Sequence, residues 1–314
     1  MSRTVNPTGR APDGPATDLK RLFRDARRDP ELAVLEGLHA LKHALRFGAQ
    51  VLHTAVVSPV RLGALADALA PDVRGRILAG AQTVPAEVFA TLAPLAPSTG
   101  VIAIARRPPI DAGALLAQAQ PAPVVLLEAP SDLGNIGACV RVAAAADAAG
   151  VLTTGIHDPW DPAALRGSAG LHFALPVARL GEDALARVSR GCAHSADGPA
   201  AEAPPPRDPS GEPPRPGLLT GPAIFAGGRA ADARPLIALD PDGEPLRPGR
   251  LPPRGILAFG AERQGLSQEL LDRADARVRL PMLEGVSSLN LATSVAAVLY
   301  SWRLVGVERE TGVG

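Results

Sequence analysis

Apolar and polar positions alternate along this chain in two distinct rhythms. Between residues 31 and 106, short apolar runs such as VLHTAVV and GVIAIA are interleaved with LGALADALA and PAEVFATLA, whose apolar residues recur at helical spacing. This interleaving predicts strands and helices layered in a small α/β unit. ELAVLEGLHALKHALRFGAQV reads as one amphipathic helix, with Leu35, Leu38, Leu41 and Leu45 on a stripe and Lys42, His43 and Arg46 on the polar side. A short basic helix, DLKRLFRDARRDP, precedes it and is stopped by Pro30. If the two helices pack side by side, the segment Lys20 to Arg28 extends the basic surface of Lys42 and Arg46.

A second α/β series starts at VVLLEA. It continues through a helix ending in VRVAAAADAAG, the run VLTTG, the apolar LHFALPV and the helical EDALARVSR. LIALD, GILAFG and RVRLPM resume the strands, and SLNLATSVAAVLYSWRL closes with a buried helix. The rhythm breaks at about 193–234. Eight of the eighteen positions from 199 to 216 are proline, a composition suited to an inserted surface loop rather than to a core. The expected organisation is a polar tail and short basic helix (1–30), a first domain (31–108), a proline-marked linker (109–122) and a second domain (123–308) carrying the insertion.

Composition narrows the chemistry. Thirty-two basic and thirty-two acidic side chains balance, so any surface for nucleic acid has to be a local patch. Two cysteines, Cys139 and Cys192, form neither a disulfide framework nor a CxxC pair. The amino-terminal residues lack an apolar signal core, and no run of about twenty apolar residues could span a bilayer, so a cytoplasmic protein is expected. His39 and His43 have the spacing of a metal pair but no third ligand, which predicts no metal. There is no GxSxG elbow for a serine nucleophile.

Three loops carry the candidate chemistry. SDLGNIGACVR (131–141) joins a strand to a helix through glycines, with Asn135 on the loop and Arg141 in the helix, but lacks the GxGxxG of dinucleotide folds. FGAERQGLSQELL (259–271) repeats the strand, glycine loop and helix, with Glu262 between Gly260 and Gly265 and Ser267 placed to cap the helix. RLPMLEGVSSLN (279–290) stops a strand at Pro281 and enters the last helix with Ser288 and Asn290, each able to cap it.

In order and spacing, NIGACVR, FGAERQGL and RLPMLEGVSSLN resemble the three signature motifs of the SpoU (TrmH-type) RNA ribose 2′-O-methyltransferases of the SPOUT superfamily. The resemblance covers about 123–306. SAGLHFALPV also looks like the segment between the first two motifs. The amino-terminal part, with LEGLHALKHAL and STGVIAIARRP, is similar to the small ribosomal-protein-like α/β domain that binds substrate in rRNA-modifying members.

The resemblance implies a parallel sheet with helices on both faces and a trefoil-knotted carboxyl-terminal segment. It also implies S-adenosylmethionine held by the loops around Gly260, Gly265, Leu280 and Leu289. Arg141 then activates the ribose hydroxyl, either by stabilising the developing alkoxide or by accepting its proton, and Asn135, Glu262, Ser288 and Asn290 position the reactants. Lys42, His43 and Arg46 are the expected RNA-binding residues.

Family members are homodimers with a shared RNA site. Ala292, Val295, Ala296, Leu299 and Trp302 could form the contact, or could face their own sheet. The implied activity is methylation of ribosomal RNA, 23S in particular. A transfer-RNA ribose methylase and a catalytically silent RNA-binding or ribosome-assembly factor stay open beside it.

Overall fold

A computed structural model of the chain describes residues 15–181, 233–247, 249–286 and 288–311. Most of the proline-rich stretch, the first fourteen residues and Cys192 lie outside them.

The amino-terminal unit contains α1 (Pro15–Ala26), β1 (Leu32–Glu36), α2 (Leu38–Arg46), β2 (Val51–Val56), α3 (Pro59–Leu69), α4 (Arg74–Ala79), β3 (Ala81–Thr83), α5 (Ala86–Phe89) and β4 (Val101–Arg106). Its sheet has the order β1-β4-β2-β3, antiparallel except for the β2/β3 pair. ELAVLEGLHALKHALR is a strand followed by a helix, where the leucine spacing predicts a single helix. Gly37 makes the break with a φ of 102°, which a side chain rarely adopts. Thr99 Oγ1 then accepts from Leu38 N at 3.1 Å and starts α2.

Strand alternation sorts the helices. Ala33, Leu35, Val101 and Ala103 face Leu38, Leu41 and Leu45 of α2, whereas Val34, Ala55, Ile102 and Ile104 face Phe23 and Ala26 of α1. The two basic helices therefore lie on opposite faces of the sheet, and α1 cannot extend the α2 surface as the side-by-side arrangement requires.

The expected linker holds a helix, α6 (Ala112–Ala117), capped by Asp111, whose carboxylate accepts from Gly113 N and Ala114 N at 2.8 and 3.1 Å. Its Leu115 and Leu116 are buried on the second sheet. That unit continues with β5 (Val124–Leu127), α7 (Leu133–Ala145), β6 (Gly150–Thr153), α8 (Pro162–Gly167), β7 (Val177–Arg179), β8 (Leu236–Pro245), β9 (Ile256–Phe259), α9 (Gln268–Arg273), β10 (Ala276–Arg279) and α10 (Leu291–Thr311).

The six strands are all parallel in the order β10-β8-β9-β5-β6-β7. Helices cover both faces, with α7, α8 and α10 on one side and α6 and α9 on the other. This is why VVLL, GVLT and ILAF read as unbroken apolar runs. Val295 and Leu299 are fully buried against this sheet, so those two members of the α10 stripe face their own core. Arg234, at the end of the proline-rich stretch, is only 4% exposed and donates to the carbonyls of Leu116, Gln118 and Ala122.

The two units meet along a closed seam. Glu36, its side chain 5% exposed, accepts from Arg27, just after α1, at 3.0 Å and from Arg166 of α8 at 2.7 Å. Arg107 pairs with Asp158 at 2.8 Å and lies over the Trp160 ring. Gly170, at φ 81°, brings the turn after α8 against Ala40 so closely that an added Cβ would collide with the Ala40 backbone.

Behind that turn His172 is fully buried, its Nε2 at 2.8 Å from Pro159 O and its Nδ1 at 2.7 Å from Ser168 Oγ. A carbonyl can only accept, so Nε2 carries the hydrogen and Nδ1 accepts from the serine. Burial pulls the imidazole down to about 4, so the ring is neutral.

Candidate active site

The three motif loops converge where the parallel strands end, at the carboxyl edge of β8, β9 and β10. In open parallel sheets this edge is where ligands bind, near the point at which strand order reverses. Here β6 and β7 extend from β5 in one direction, and β9, β8 and β10 in the other.

A cavity of about 480 Å³ opens at this edge. Leu239, Phe259, Leu266, Leu280, Leu289 and Leu291 supply its apolar wall, and Asp240, Glu262, Ser288 and Arg279 its polar groups. Its size and mixed lining suit a small amphipathic molecule. One wall exists because residues 239–243 bulge out of β8: Arg277 pairs with Ala238, but Val278 pairs with Glu244. Arg279 ties the bulge down by donating to Gly243 O at 2.8 Å.

Of the residues assigned to a cofactor from the sequence, Gly260, Gly265, Leu280 and Leu289 all line this cavity. The glycines serve the loop itself. A Cβ at Gly260 would collide with the backbone of Gly265 and Leu266, where the loop crosses itself, and Gly265 has a φ of 67°.

Beside the cavity, a polar cluster joins all three motifs. Asn135 Nδ2 donates to Glu262 Oε1 at 2.7 Å, Ser131 Oγ donates to Oε2 at 2.7 Å, and Asn290 Nδ2 donates to Asn135 Oδ1 at 3.1 Å. Partial burial would raise the Glu262 carboxyl. The hydrogen bonds from Asn135 and Ser131 outweigh it and hold the group below its ordinary value, so it is ionised at neutral pH.

Asn290 does two jobs, because its Oδ1 also caps α10 by accepting from Ala292 N at 2.9 Å. Asp132 caps α7 in the same way through Asn135 N at 2.7 Å. Ser267 and Asn290, read as possible caps, do cap their helices, and the same loops carry the polar cluster.

Two participants escaped the sequence reading. Ser131 precedes the first motif's recognisable glycines. Glu128, buried at the end of β5, accepts from Ser267 N at 2.7 Å and Ser267 Oγ at 2.6 Å, and so fixes the end of the 260–267 loop. Both partners lie more than a hundred residues away in sequence, and no local pattern marks them.

Arg141 stands apart. It is six residues beyond Asn135, about 9 Å along α7 and about 120° around it, exposed, and absent from the cavity wall. Cys139, one turn after Asn135, is buried and its thiol is pushed up to about 12 by burial and then by the Glu262 charge, which makes it an inert packing group.

The expected RNA-binding trio is also divided. Arg46 is held by both oxygens of Asp72 at 2.7 Å, and these bonds pull the Asp72 carboxyl down to about 2. His43 Nδ1 lies 2.8 Å from Ala169 O across the seam. Lys42 makes one long contact, 3.5 Å, to Leu69 O. Among the described residues there is no cluster of three or more side chains suited to a metal, and no helix is long and apolar enough to cross a membrane.

Comparison with known proteins agrees with this geometry. The sequence is 48% identical over 59 residues to the tRNA (cytidine(34)-2′-O)-methyltransferase of Burkholderia pseudomallei, a match covering 18% of this chain and 38% of that enzyme. The chain thus spans about two-fifths of the length of that relative. It is 28% identical over 180 residues to the 23S rRNA (uridine(2479)-2′-O)-methyltransferase of Streptomyces viridochromogenes, covering 56% of this chain and 50% of the relative. The structure matches that of the SpoU methyltransferase AviRb from the same organism, solved in complex with the cofactor AdoMet. The TM-score is 0.64 at 22% identity, over 94% of this chain and 98% of the other. The profile of the SpoU rRNA Methylase family matches residues 122–194 and 229–300, whose described residues include the parallel sheet, the cavity wall and the polar cluster, and the chain belongs to that family.

Proposed function

We propose that this chain methylates a ribose 2′-hydroxyl in RNA with S-adenosylmethionine, acting in the cytoplasm as a homodimer on ribosomal RNA, in particular 23S. The observation that carries the proposal is the cavity bordered by the Glu262–Asn135–Asn290 cluster, in which one residue of each motif touches the next. The donor set fits the cofactor. Leu280, Leu289 and Phe259 offer apolar surface to an adenine, and Asp240 and Glu262 offer carboxylates to a cation. Leu280, Met282, Ser288 and Leu289, which line the cavity, belong to the segment that would be knotted in the fold the family implies.

S-adenosylmethionine supplies a methyl group on a sulfonium centre. Glu262, locked by Ser131 and Asn135, keeps its charge and fixes the first and second motif loops against each other. Ser288, at the mouth of the cavity, offers a hydroxyl to the ribose. Arg141 stabilises the alkoxide that develops on the 2′-oxygen, a task suited to the several donors of a guanidinium. Because Arg141 does not line its own chain's cavity, a second copy completes the site. The exposed Tyr300 and Leu304 of α10 give that copy an apolar contact.

The Burkholderia match supports a second reading, transfer RNA as substrate. The amino-terminal unit, held rigidly against the seam, favours a structured ribosomal target.

Isothermal titration tests the cavity. One S-adenosylmethionine should bind per wild-type chain and Leu280→Arg should abolish binding, whereas no binding to the wild-type chain would overturn the proposal. Incubation with separated ribosomal and transfer RNA should label the ribosomal pool, and label confined to transfer RNA would favour the second reading.

A further inference from the structure

The seam sets the outer face of α2 beside the arginine of the first motif. His39, Lys42, His43 and Arg46 recur at the spacing that places side chains on one face of a helix. Arg46 is held by Asp72 and His43 by Ala169 O, while Lys42 makes one long contact, 3.5 Å, to Leu69 O. Ala169 and Gly170 belong to the turn after α8, and that turn packs against both α2 and α7. One rigid support therefore carries the two helices.

Arg141 lies one turn beyond Gly137, whose face of α7 packs against Gly167 and Ser168 at the start of that turn. The His39 imidazole is held below its ordinary value by partial burial, then by the charge of Lys42, then by that of Arg141. Lys42 is lowered by partial burial and by Arg46, raised by Asp72, and lowered again by Arg141. Three groups from two units thus share one region. The carboxylate that Lys42 senses, Asp72, is already engaged by both arms of Arg46. His39 and Arg141 are exposed and have no hydrogen-bond or ion-pair partner among the described residues.

Convergent cations without an anion cost electrostatic energy, and a phosphate placed among them removes that cost. We propose that His39, Lys42 and Arg141 form one composite anion site that takes a backbone phosphodiester of the substrate RNA. This rests on the proposed RNA activity and deepens it. The amino-terminal unit becomes part of the active site, because it grips the phosphate that the ribose-activating arginine also faces. It also replaces Arg46 and His43 by His39 as partners of Lys42 in contacting RNA.

The site predicts a proton linkage. A phosphate raises the His39 pKa, so RNA binding takes up a proton, and affinity rises as pH falls through the His39 titration below about 6.5. The other ionisable groups facing this region are Lys42, His43 and Arg46 on α2, Asp72 after α3, and Arg141 on α7. His43 lies on the same face and senses His39, so the test has to separate the two imidazoles.

Fluorescence anisotropy of a labelled RNA hairpin, measured across pH and potassium chloride concentration, does so with His39→Gln and Lys42→Gln. Both are surface changes whose folding is checked by thermal melting. In the wild-type chain, affinity should rise several-fold from about pH 7.5 to about pH 5.5. His39→Gln should flatten that rise while leaving His43 in place. Lys42→Gln should reduce the slope of log affinity against log salt by about 0.7–0.9. Identical pH and salt profiles in wild type and both variants would overturn the composite site.

Titration of the wild-type chain with S-adenosylmethionine separates the two levels of the argument. Cofactor binding together with unchanged RNA profiles sinks the phosphate site alone. Absence of cofactor binding sinks the reading of the preceding subsection, and the RNA profiles still decide whether the anion site exists.

Discussion

The seam between the two units and the rim of the cavity are built on opposite plans. At the seam, the Glu36 side chain, His172 and Trp160 are buried, and Arg166, Arg107 and His43 make hydrogen bonds across it. At the rim, Leu283 is 80% exposed, Val286 and Leu289 are exposed as well, and the polar cluster around Glu262 is open to solvent. Buried, satisfied networks specify one geometry, whereas exposed loops with little packing of their own are free to close over a ligand or a partner. The molecule is rigid where it sets the distance from the amino-terminal unit to the catalytic loops, and open where it binds. Damage to the seam should therefore appear as lost stability, and damage to the rim as lost activity.

The strongest break is Gly170→Val. It forces a β-branched side chain to a φ of 81° and into the Ala40 backbone, for an expected loss of about 3–5 kcal/mol in denaturant unfolding. A variant as stable as wild type would mean that the seam is not closed.

On the catalytic side, Arg141→Ala should reduce single-turnover methyl transfer by about 10²–10³-fold, with unchanged melting temperature and S-adenosylmethionine affinity. Loss of cofactor binding instead would move Arg141 into the cofactor pocket.

Acid probes the seam more gently. The His172 imidazole lies near 4 in the folded chain and at an ordinary value when unfolded, so its contribution is complete above about pH 6.5 and is lost as pH falls toward 4. That contribution is about 3 kcal/mol, and it should appear as a pH-dependent difference between the wild-type and His172→Gln stability profiles, because glutamine does not titrate. Parallel profiles would contradict a buried neutral ring.

The smallest effect is expected for Arg46→Ala. It removes an exposed ion pair and should leave stability nearly unchanged. It should also shift the RNA salt slope by less than Lys42→Gln does.

The rim was more legible in the sequence than the seam. Glycine spacing and polar residues at helix starts mark the three loops, because caps and tight turns restrict residue type locally. Gly260, Glu262, Leu280, Leu289 and Asn290 accordingly fall in one place. The seam is made of pairs far apart in the chain, such as Glu36 with Arg166 and His43 with Ala169, and neither partner looks unusual in its own segment. Leu35 was misplaced for a related reason. Its spacing to Leu38 and Leu41 is helical, and only the pairing of β1 with β4 makes it a strand residue. Arg46 resembles a surface cation until Asp72, twenty-six residues away, is brought against it.

The central claim is that the cavity and its polar cluster deliver a methyl group to a ribose. The most direct measurement is nucleoside analysis by mass spectrometry of RNA incubated with the protein and S-adenosylmethionine carrying an isotopically labelled methyl group. The account predicts the label in a 2′-O-methylated nucleoside, present with the wild-type chain and absent with Arg141→Ala. Label on a base, or no label in RNA despite cofactor binding, would contradict it.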